Sequence, residues 1–314
     1  MASDPRPIII DTDPGQDDAV AILLAFASPE LKVLGLTTVA GNVPLPLTTL
    51  NALKIRELGG RPEVPVRAGC ARPMLRPLVT AEHVHGRTGL DGADLPDPAL
   101  GLADGHAVDW MVDTLMAAGD GEITLCPLGP LTNIAAAIVK EPRIVPKIRE
   151  IVLMGGGYFE AGNITPMAEF NIYVDPHAAS IVLDSGAPAT ILPLDVTHKA
   201  LISRAWLDGL RTAGTPVTVA VAGLVDYFER FDTEKYGGEG GPLHDPCVIA
   251  YLLHPEWFEG RECGVKVETQ SELTMGATVV DWWRVTDWPK NARFITALDR
   301  PRYFDLLAER LATL

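Results

Sequence analysis

The chain has 314 residues, 47% of them hydrophobic, which is enough material for one large α/β core or two ordinary ones. Its 26 Lys and Arg stand against 41 Asp and Glu, and the resulting net charge of −15 argues against a non-specific grip on nucleic-acid phosphates or anionic lipid. The apolar run 19–27 is far too short to span a bilayer, and the opening Met-Ala-Ser-Asp-Pro-Arg-Pro lacks the basic-then-apolar order of a signal peptide, so a cytoplasmic location is expected.

Taken in chain order, short apolar runs alternate with helical patterns. A strand is expected over 8–11 and a helix over 17–27, then a strand over 33–39 and a helix over 45–58, then a strand over 123–126 and a helix over 131–139. Strands over 151–154 and 190–194 enclose a helix over 176–183, and a further apolar helical run covers 248–253. This order predicts α/β architecture: a mostly parallel central sheet with crossover helices on both faces. No linker, charge block or internal repeat divides the sequence, so a single domain over 1–314 is the simpler reading. Two Gly- and Pro-rich stretches, 69–105 and 234–246, read as lids or binding loops. The cysteines, Cys70, Cys126, Cys247 and Cys263, form no CxxC pair and read as buried thiols in a reducing compartment.

Directly after the first strand comes Asp11-Thr12-Asp13-Pro14-Gly15-Gln16-Asp17-Asp18-Ala19, with a helix opening near Gln16. Two carboxylates about 4 Å apart at an effective dielectric near 20 repel by roughly 4 kcal/mol, and the helix dipole returns at most about 1–2 kcal/mol. Such a crowd calls for a cation, raised pKa values or side chains that diverge. Oxygen ligands without a His or Cys pattern favour Ca²⁺ or Mg²⁺ over zinc, and the spacing is not that of an EF-hand. The structural alternative is ordinary N-capping by Asp13 or Asp17. A second polar stretch, Asn163 to Asn171, follows the Gly155-Gly156-Gly157 turn. Its Asn163, Glu169 and Asn171 suit a ligand rich in vicinal hydroxyls, with Phe170 as an apolar wall, or else satisfy their own backbone. The third element is His244-Asp245-Pro246, where Asp245 can cap a helix with Pro246 at its first position, and His244 can deliver a proton near neutral pH.

Together these segments resemble the nucleoside hydrolases of the inosine-uridine and pyrimidine type. The resemblance is carried by the Asp11 to Ala19 run, Thr38-Val39-Ala40-Gly41-Asn42, Gly129-Pro130-Leu131-Thr132-Asn133, Val152-Leu153-Met154-Gly155-Gly156-Gly157, Ala168-Glu169-Phe170-Asn171 and His244-Asp245-Pro246, in the family's order. It implies a nucleoside hydrolase-like fold with Ca²⁺ at the carboxyl edge of the sheet, ligated by Asp13, Asp18, Asp245 and the Leu128 carbonyl, with Asp11 behind them. Leu128 stands where the family often has Thr, a change that a main-chain ligand tolerates. By the same resemblance the ribose is held by Asp17, Asn42, Asn163, Glu169, Asn171 and Asp245, while Asp13 is the general base toward a water on the ion and His244 the acid toward the leaving base. His85 matches a pocket histidine that contacts the base or the 5′ end of the sugar.

The expected reaction is Ca²⁺-dependent hydrolysis of the N-glycosidic bond of inosine, uridine or cytidine to free base and ribose. Carboxylates around an oxocarbenium-like ribosyl cation are chemically apt for it. The His244 acid argues against the purine-specific branch, which stacks aromatic rings on the base. The expected partner is a small ribonucleoside, and the expected assembly a homodimer or homotetramer serving nucleoside salvage. Base-recognising tyrosines fall near Tyr227 to Tyr236, where Phe228, Phe231 and Asp232 blur the match; Trp282 and Trp283 are read as core or interface residues. Two rivals stand: a Ca²⁺-dependent nucleoside or sugar binding protein without turnover, and a Mg²⁺-dependent phosphohydrolase with an Asp nucleophile.

Overall fold

Ile8, Ile9 and Ile10 are all wholly buried, so the first strand, β1 (Arg6–Thr12), is covered on both faces and belongs inside a sheet. The computed structural model describes residues 4–236 and 240–314, with the backbone alone for 231–236. In it β1 leads into α1 (Gln16–Phe26), β2 (Leu31–Thr38), α2 (Leu45–Leu58), β3 (Val66–Ala68), the short α3 (Glu82–His85) and α4 (Ala107–Ala117). The middle of the chain gives β4 (Ile123–Pro127), α5 (Thr132–Lys140), β5 (Ile148–Met154), α6 (Phe170–Val174), α7 (Pro176–Leu183), β6 (Ala189–Leu192) and α8 (Leu194–Thr197). There follow α9 (Arg204–Ala213), α10 (Pro216–Tyr236), α11 (Pro246–Leu253), β7 (Phe258–Cys263), β8 (Val265–Val267), β9 (Thr278–Val280), β10 (Ala292–Leu298) and α12 (Arg300–Leu311).

An eight-stranded sheet runs in the order β3-β2-β1-β4-β5-β6-β10-β7, parallel except for the edge strand β7, while β8 and β9 pair as a separate antiparallel ribbon. The mostly parallel α/β architecture expected from the alternation is therefore present. Side chains on β1 alternate between the two faces, so Ile8 and Ile10 pack with α1, α11 and α12, and Ile9 packs with α4, α5 and α7. Two apolar layers thus sandwich the sheet.

The strand order decides where a ligand can sit. Strands β2 and β3 lie on one side of β1 and β4, β5 and β6 on the other, so a crevice opens beyond the carboxyl ends of β1 and β4. The segments after those two strands are the acidic Asp11 to Asp18 turn and the Leu128-Gly129 turn.

Some boundaries differ from expectation, each for a local reason. The strand read over 190–194 stops at Leu192, because Pro193 cannot donate to a ladder and Leu194 opens α8. The stretch 234–246 begins inside α10, whose backbone stays helical through Tyr236. Among the described residues no helix is long and apolar enough to cross a membrane.

Helix α1 is buried along its whole length, including Ile22 at 0% exposure. Truncating Ile22→Ala should cost about 2–5 kcal/mol of stability, read as a lowered urea midpoint with an unchanged slope.

Candidate active site

Sequence places Gly15, not an aspartate, at the N-cap of α1, and the Asp18 side chain turns back to accept from the Gly15 amide at 2.9 Å. Neither Asp13 nor Asp17 is spent on capping, so the bland reading of the acidic run fails. Asp18 also accepts from the Thr12 hydroxyl and, at 3.3 Å, from Asn42 Nδ2. Asp13 accepts through Oδ2 from the Asn42 amide at 2.7 Å, whereas its Oδ1 is buried without a hydrogen-bond partner among the described residues. Asp11 sits behind, accepting from Thr37 Oγ1 at 2.5 Å and Asn133 Nδ2 at 2.8 Å. Asp245 occupies the N-cap of α11 with Pro246 at the first helical position, yet its side chain makes no capping bond. That carboxylate turns instead to Asp17 and Asp18, and one oxygen from each of the three lies within 4.8 Å of the others.

Burial raises every acid in this group, and repulsion between carboxylates adds to it at Asp13, Asp17 and Asp245. Desolvation pushes Asp11 up to about 7 against its hydrogen bonds from Asn133 and Thr37, and desolvation followed by the Asp18 charge pushes Asp17 up to about 8. Desolvation first and Asp18 second raise Asp13 well above the usual carboxylate range. Asp245 is raised likewise, by desolvation and then by Asp17, Asp18 and Asp13. Among the described residues no Lys or Arg lines the adjoining cavity. An all-oxygen set of buried carboxylates, one with an orphaned oxygen, fits a hard divalent cation, with the Leu128 carbonyl at the same cavity as a further donor.

Glycines shape the bed in which Asp13 rests. A Cβ at Gly41 would fall 2.1 Å from Asp13 Oδ2, and one at Gly129 would fall 2.1 Å from Oδ1. The carboxylate is thus clasped between two backbone turns that only glycine lets approach so closely.

The cavity encloses about 680 Å³ with its open mouth included, a size for a small molecule. It brings together Asp17, Asn42, His85, Leu128, Asn163, Glu169, Phe170, Asn171, His244 and Asp245 of the residues singled out in the sequence. Asp13 and Asp18 lie beneath it, fully buried. Glu169 takes backbone amides of Gly156, Asn171 and Ile172 at 2.9, 2.9 and 3.2 Å, and desolvation still raises it to about 7. Asn171 Nδ2 donates to the carbonyls of Leu128 (2.8 Å) and Met154 (3.2 Å), leaving Oδ1 as its acceptor. Asn163 Oδ1 accepts from the Phe170 amide at 2.9 Å. These residues do satisfy backbone groups, as the bland reading held, but in doing so they are aimed at one cavity. The triple-glycine turn is no phosphate cradle: the Gly156 amide serves Glu169 and the Gly157 amide serves Thr278 Oγ1 at 3.1 Å.

His244 is half-buried, with Nδ1 2.7 Å from Thr197 Oγ1. Desolvation, then the neighbouring His198 and His85, hold its pKa well below the usual histidine value. His85 is pushed down to about 3, mainly by desolvation, and stacks on Phe228 at 5.5 Å between ring centroids. Sequence reading missed Ala81, Met154, Ile164 and Thr197, and left Phe228 unresolved. Met154 ends β5, so the rule that ligands sit beyond strand ends was the available signal; Phe228 lies within α10 and carried none. Tyr227 does not line the cavity, and neither do Trp282 and Trp283, the latter 73% exposed. The side chains of Phe231, Asp232 and Tyr236 lie outside the described residues.

A family model described as inosine-uridine preferring nucleoside hydrolase matches residues 8–305. A Photobacterium profundum protein named pyrimidine-specific ribonucleoside hydrolase RihA is 50% identical over 308 residues, covering 98% of this chain and 99% of its own length. Among solved structures, a plant nucleoside hydrolase superposes with a TM-score of 0.91 at 33% identity, over 99% of this chain and 100% of its own. A purine-preferring ribonucleoside hydrolase from Gardnerella vaginalis does so with a TM-score of 0.92 at 32% identity, over 98% of each chain.

The repulsion among Asp13, Asp17, Asp18 and Asp245 should be relieved by a divalent cation. At a hundredfold excess over its dissociation constant the cation should add about 2.7 kcal/mol, seen as a rise in Tm that a chelator reverses. A Gly129→Ala substitution should erase most of that rise, because the new methyl displaces the Asp13 carboxylate; an undiminished rise would contradict the geometry.

Proposed function

The chain belongs to the inosine-uridine preferring nucleoside hydrolase family and is a hydrolase of ribonucleosides, and on that premise we propose that it cleaves uridine and cytidine to base and ribose with a resident Ca²⁺. The observation that carries this reading is the meeting, at one cavity lined by no Lys or Arg among the described residues, of the Asp17-Asp18-Asp245 cluster, the Asn163-Glu169-Asn171 set and His244. The pyrimidine preference is supported by the names of the relatives from Photobacterium profundum and Shewanella, 50% and 47% identical.

Asp13, Asp18, Asp245 and the Leu128 carbonyl would hold the ion, and Asp17, which lies within the same 4.8 Å group, is placed to join them. Ca²⁺, when bound, supplies Lewis acidity that lowers the pKa of a water and charge that offsets the acids around it. Asp13 is the general base: the Asn42 amide ties Oδ2 at 2.7 Å, so the orphaned Oδ1 takes the proton of the attacking water. Glu169, pinned by its three amides, and the Oδ1 acceptors of Asn42 and Asn171 receive ribose hydroxyls, since both Nδ2 groups already donate within the protein. The surrounding carboxylates stabilise positive charge as the glycosidic bond lengthens. Thr197 fixes the His244 ring through Nδ1, leaving Nε2 to serve the departing base; burial leaves the imidazolium a minor form near neutral pH but makes it a stronger proton donor.

The phosphohydrolase rival finds no Lys or Arg among the described residues to hold a phosphate at the cavity. In this reading residues 1–314 act as one domain in the cytoplasm. The exposed apolar side chains of Phe159, Trp283 and Val285 support assembly into a homodimer or homotetramer.

Reducing-sugar release should appear with uridine and cytidine, more slowly with inosine, and vanish with chelator. Asp13→Ala should lower kcat by roughly 10²–10⁴-fold, whereas His244→Ala should mainly slow nucleosides whose base leaves poorly. Near-wild-type rates for both variants would sink the mechanism, and tight nucleoside binding without ribose release would identify the non-catalytic alternative.

A further inference from the structure

Gln16 is the position left open between the glycine and the paired aspartates of the acidic run, and its side chain points away from them, across to the 82–91 segment. Its amide nitrogen donates to the carbonyl oxygens of His85 and Asp91, at 2.9 and 3.0 Å. Carbonyl oxygens only accept, so the amide orientation is fixed and Gln16 Oε1 faces the His85 ring, 2.7 Å from Nδ1. Two acceptors cannot face each other at that distance. His85 Nδ1 therefore carries the proton, and Nε2 is left as a lone-pair acceptor on a residue that lines the cavity.

We infer that Gln16 is a positioning residue: through its Oε1 it locks His85 in the Nδ1–H tautomer, so that Nε2 accepts a hydrogen bond from a donor on the nucleoside. Several features hold the lock. Gly15 leaves room for it, since a Cβ there would fall 2.4 Å from His85 Nδ1. Phe228 stacks on the ring from the other direction, with an interplanar angle of 26°. Burial keeps the ring neutral at ordinary pH, and a neutral ring has one donor and one acceptor whose assignment a single neighbour can decide. The donor it selects is either the ribose 5′-hydroxyl or the ring N3–H of uracil. The tautomer follows from geometry alone; the substrate half rests on the functional reading above.

The test begins with protein labelled with ¹⁵N-histidine and no substrate, where long-range ¹H–¹⁵N correlations separate the two tautomers. The His85 signals, assigned by their loss in His85→Gln, should show a protonated Nδ1 and a bare Nε2. A protonated Nε2 in the wild-type protein would overturn the inference, whatever becomes of any variant. In Gln16→Met the Nδ1–H signature should give way to a mixture, and its persistence would show that Gln16 is not the lock. Turnover of uridine, 5′-deoxyuridine and 3-methyluridine then identifies the donor. Wild-type kcat/KM should fall roughly tenfold for the one analogue that lacks it, and Gln16→Met should flatten that discrimination. Equal rates on all three by the wild-type protein would remove the substrate half. Turnover of none would count against the functional reading alone, because the ring spectrum needs no substrate.

Discussion

Five carboxyl groups, those of Asp11, Asp13, Asp17, Asp18 and Asp245, are buried at the point where the crossovers of the sheet diverge, and the rest of the site is arranged around the cost of keeping them there. Each unit of raised pKa represents about 1.4 kcal/mol spent against the charged form. A fold tolerates that expense only where something collects it, either protons or a cation. The protein supplies many neutral donors to these acids and, among the described residues, no Lys or Arg at the cavity. Asp11 has Thr37 and Asn133, Asp18 has Thr12 and the Gly15 amide, and Asp13 has the Asn42 amide, which orient oxygens without cancelling their charge. Had an arginine been placed among them, the cluster would be a structural ion pair with no room for chemistry.

The same economy explains the division of labour across the cavity. Backbone amides hold Glu169, a hydroxyl holds His244 and an amide side chain holds His85, so each titratable group presents a defined edge to the ligand. Gly41 and Gly129 let two turns close on Asp13 from opposite sides, and Pro246 starts α11 so that Asp245 is freed from capping it. Local backbone rules and the chemistry of the site are here the same set of choices.

Much of this was legible in the sequence because periodicity and punctuation agree. Helices over 45–58 and 176–183 have the bounds read from their patterns, and the acidic turn falls at the end of β1, as the strand-then-helix order required. What escaped was whatever depends on distant contacts. Strand β10 sits between β6 and β7 although residues 193–291 separate it from β6, and no local pattern reports such a partner. The inclusion of Asp17 with Asp18 and Asp245, and the entry of Phe228 through a long helix, are likewise products of packing. Capping rules alone favoured an aspartate at the N-cap of α1; the glycine won because Asp18 satisfies its amide from within the helix.

The account turns on whether the buried acids exchange protons for a cation. Calorimetric titration of Ca²⁺ into chelator-treated protein near pH 7, repeated in buffers of different ionisation enthalpy, counts both the ions bound and the protons released. Groups whose pKa is raised to about 7 or 8 hold protons that a cation must displace, so one ion per chain with net proton release is the expected result. Absence of binding, or binding with no protons released, would contradict it.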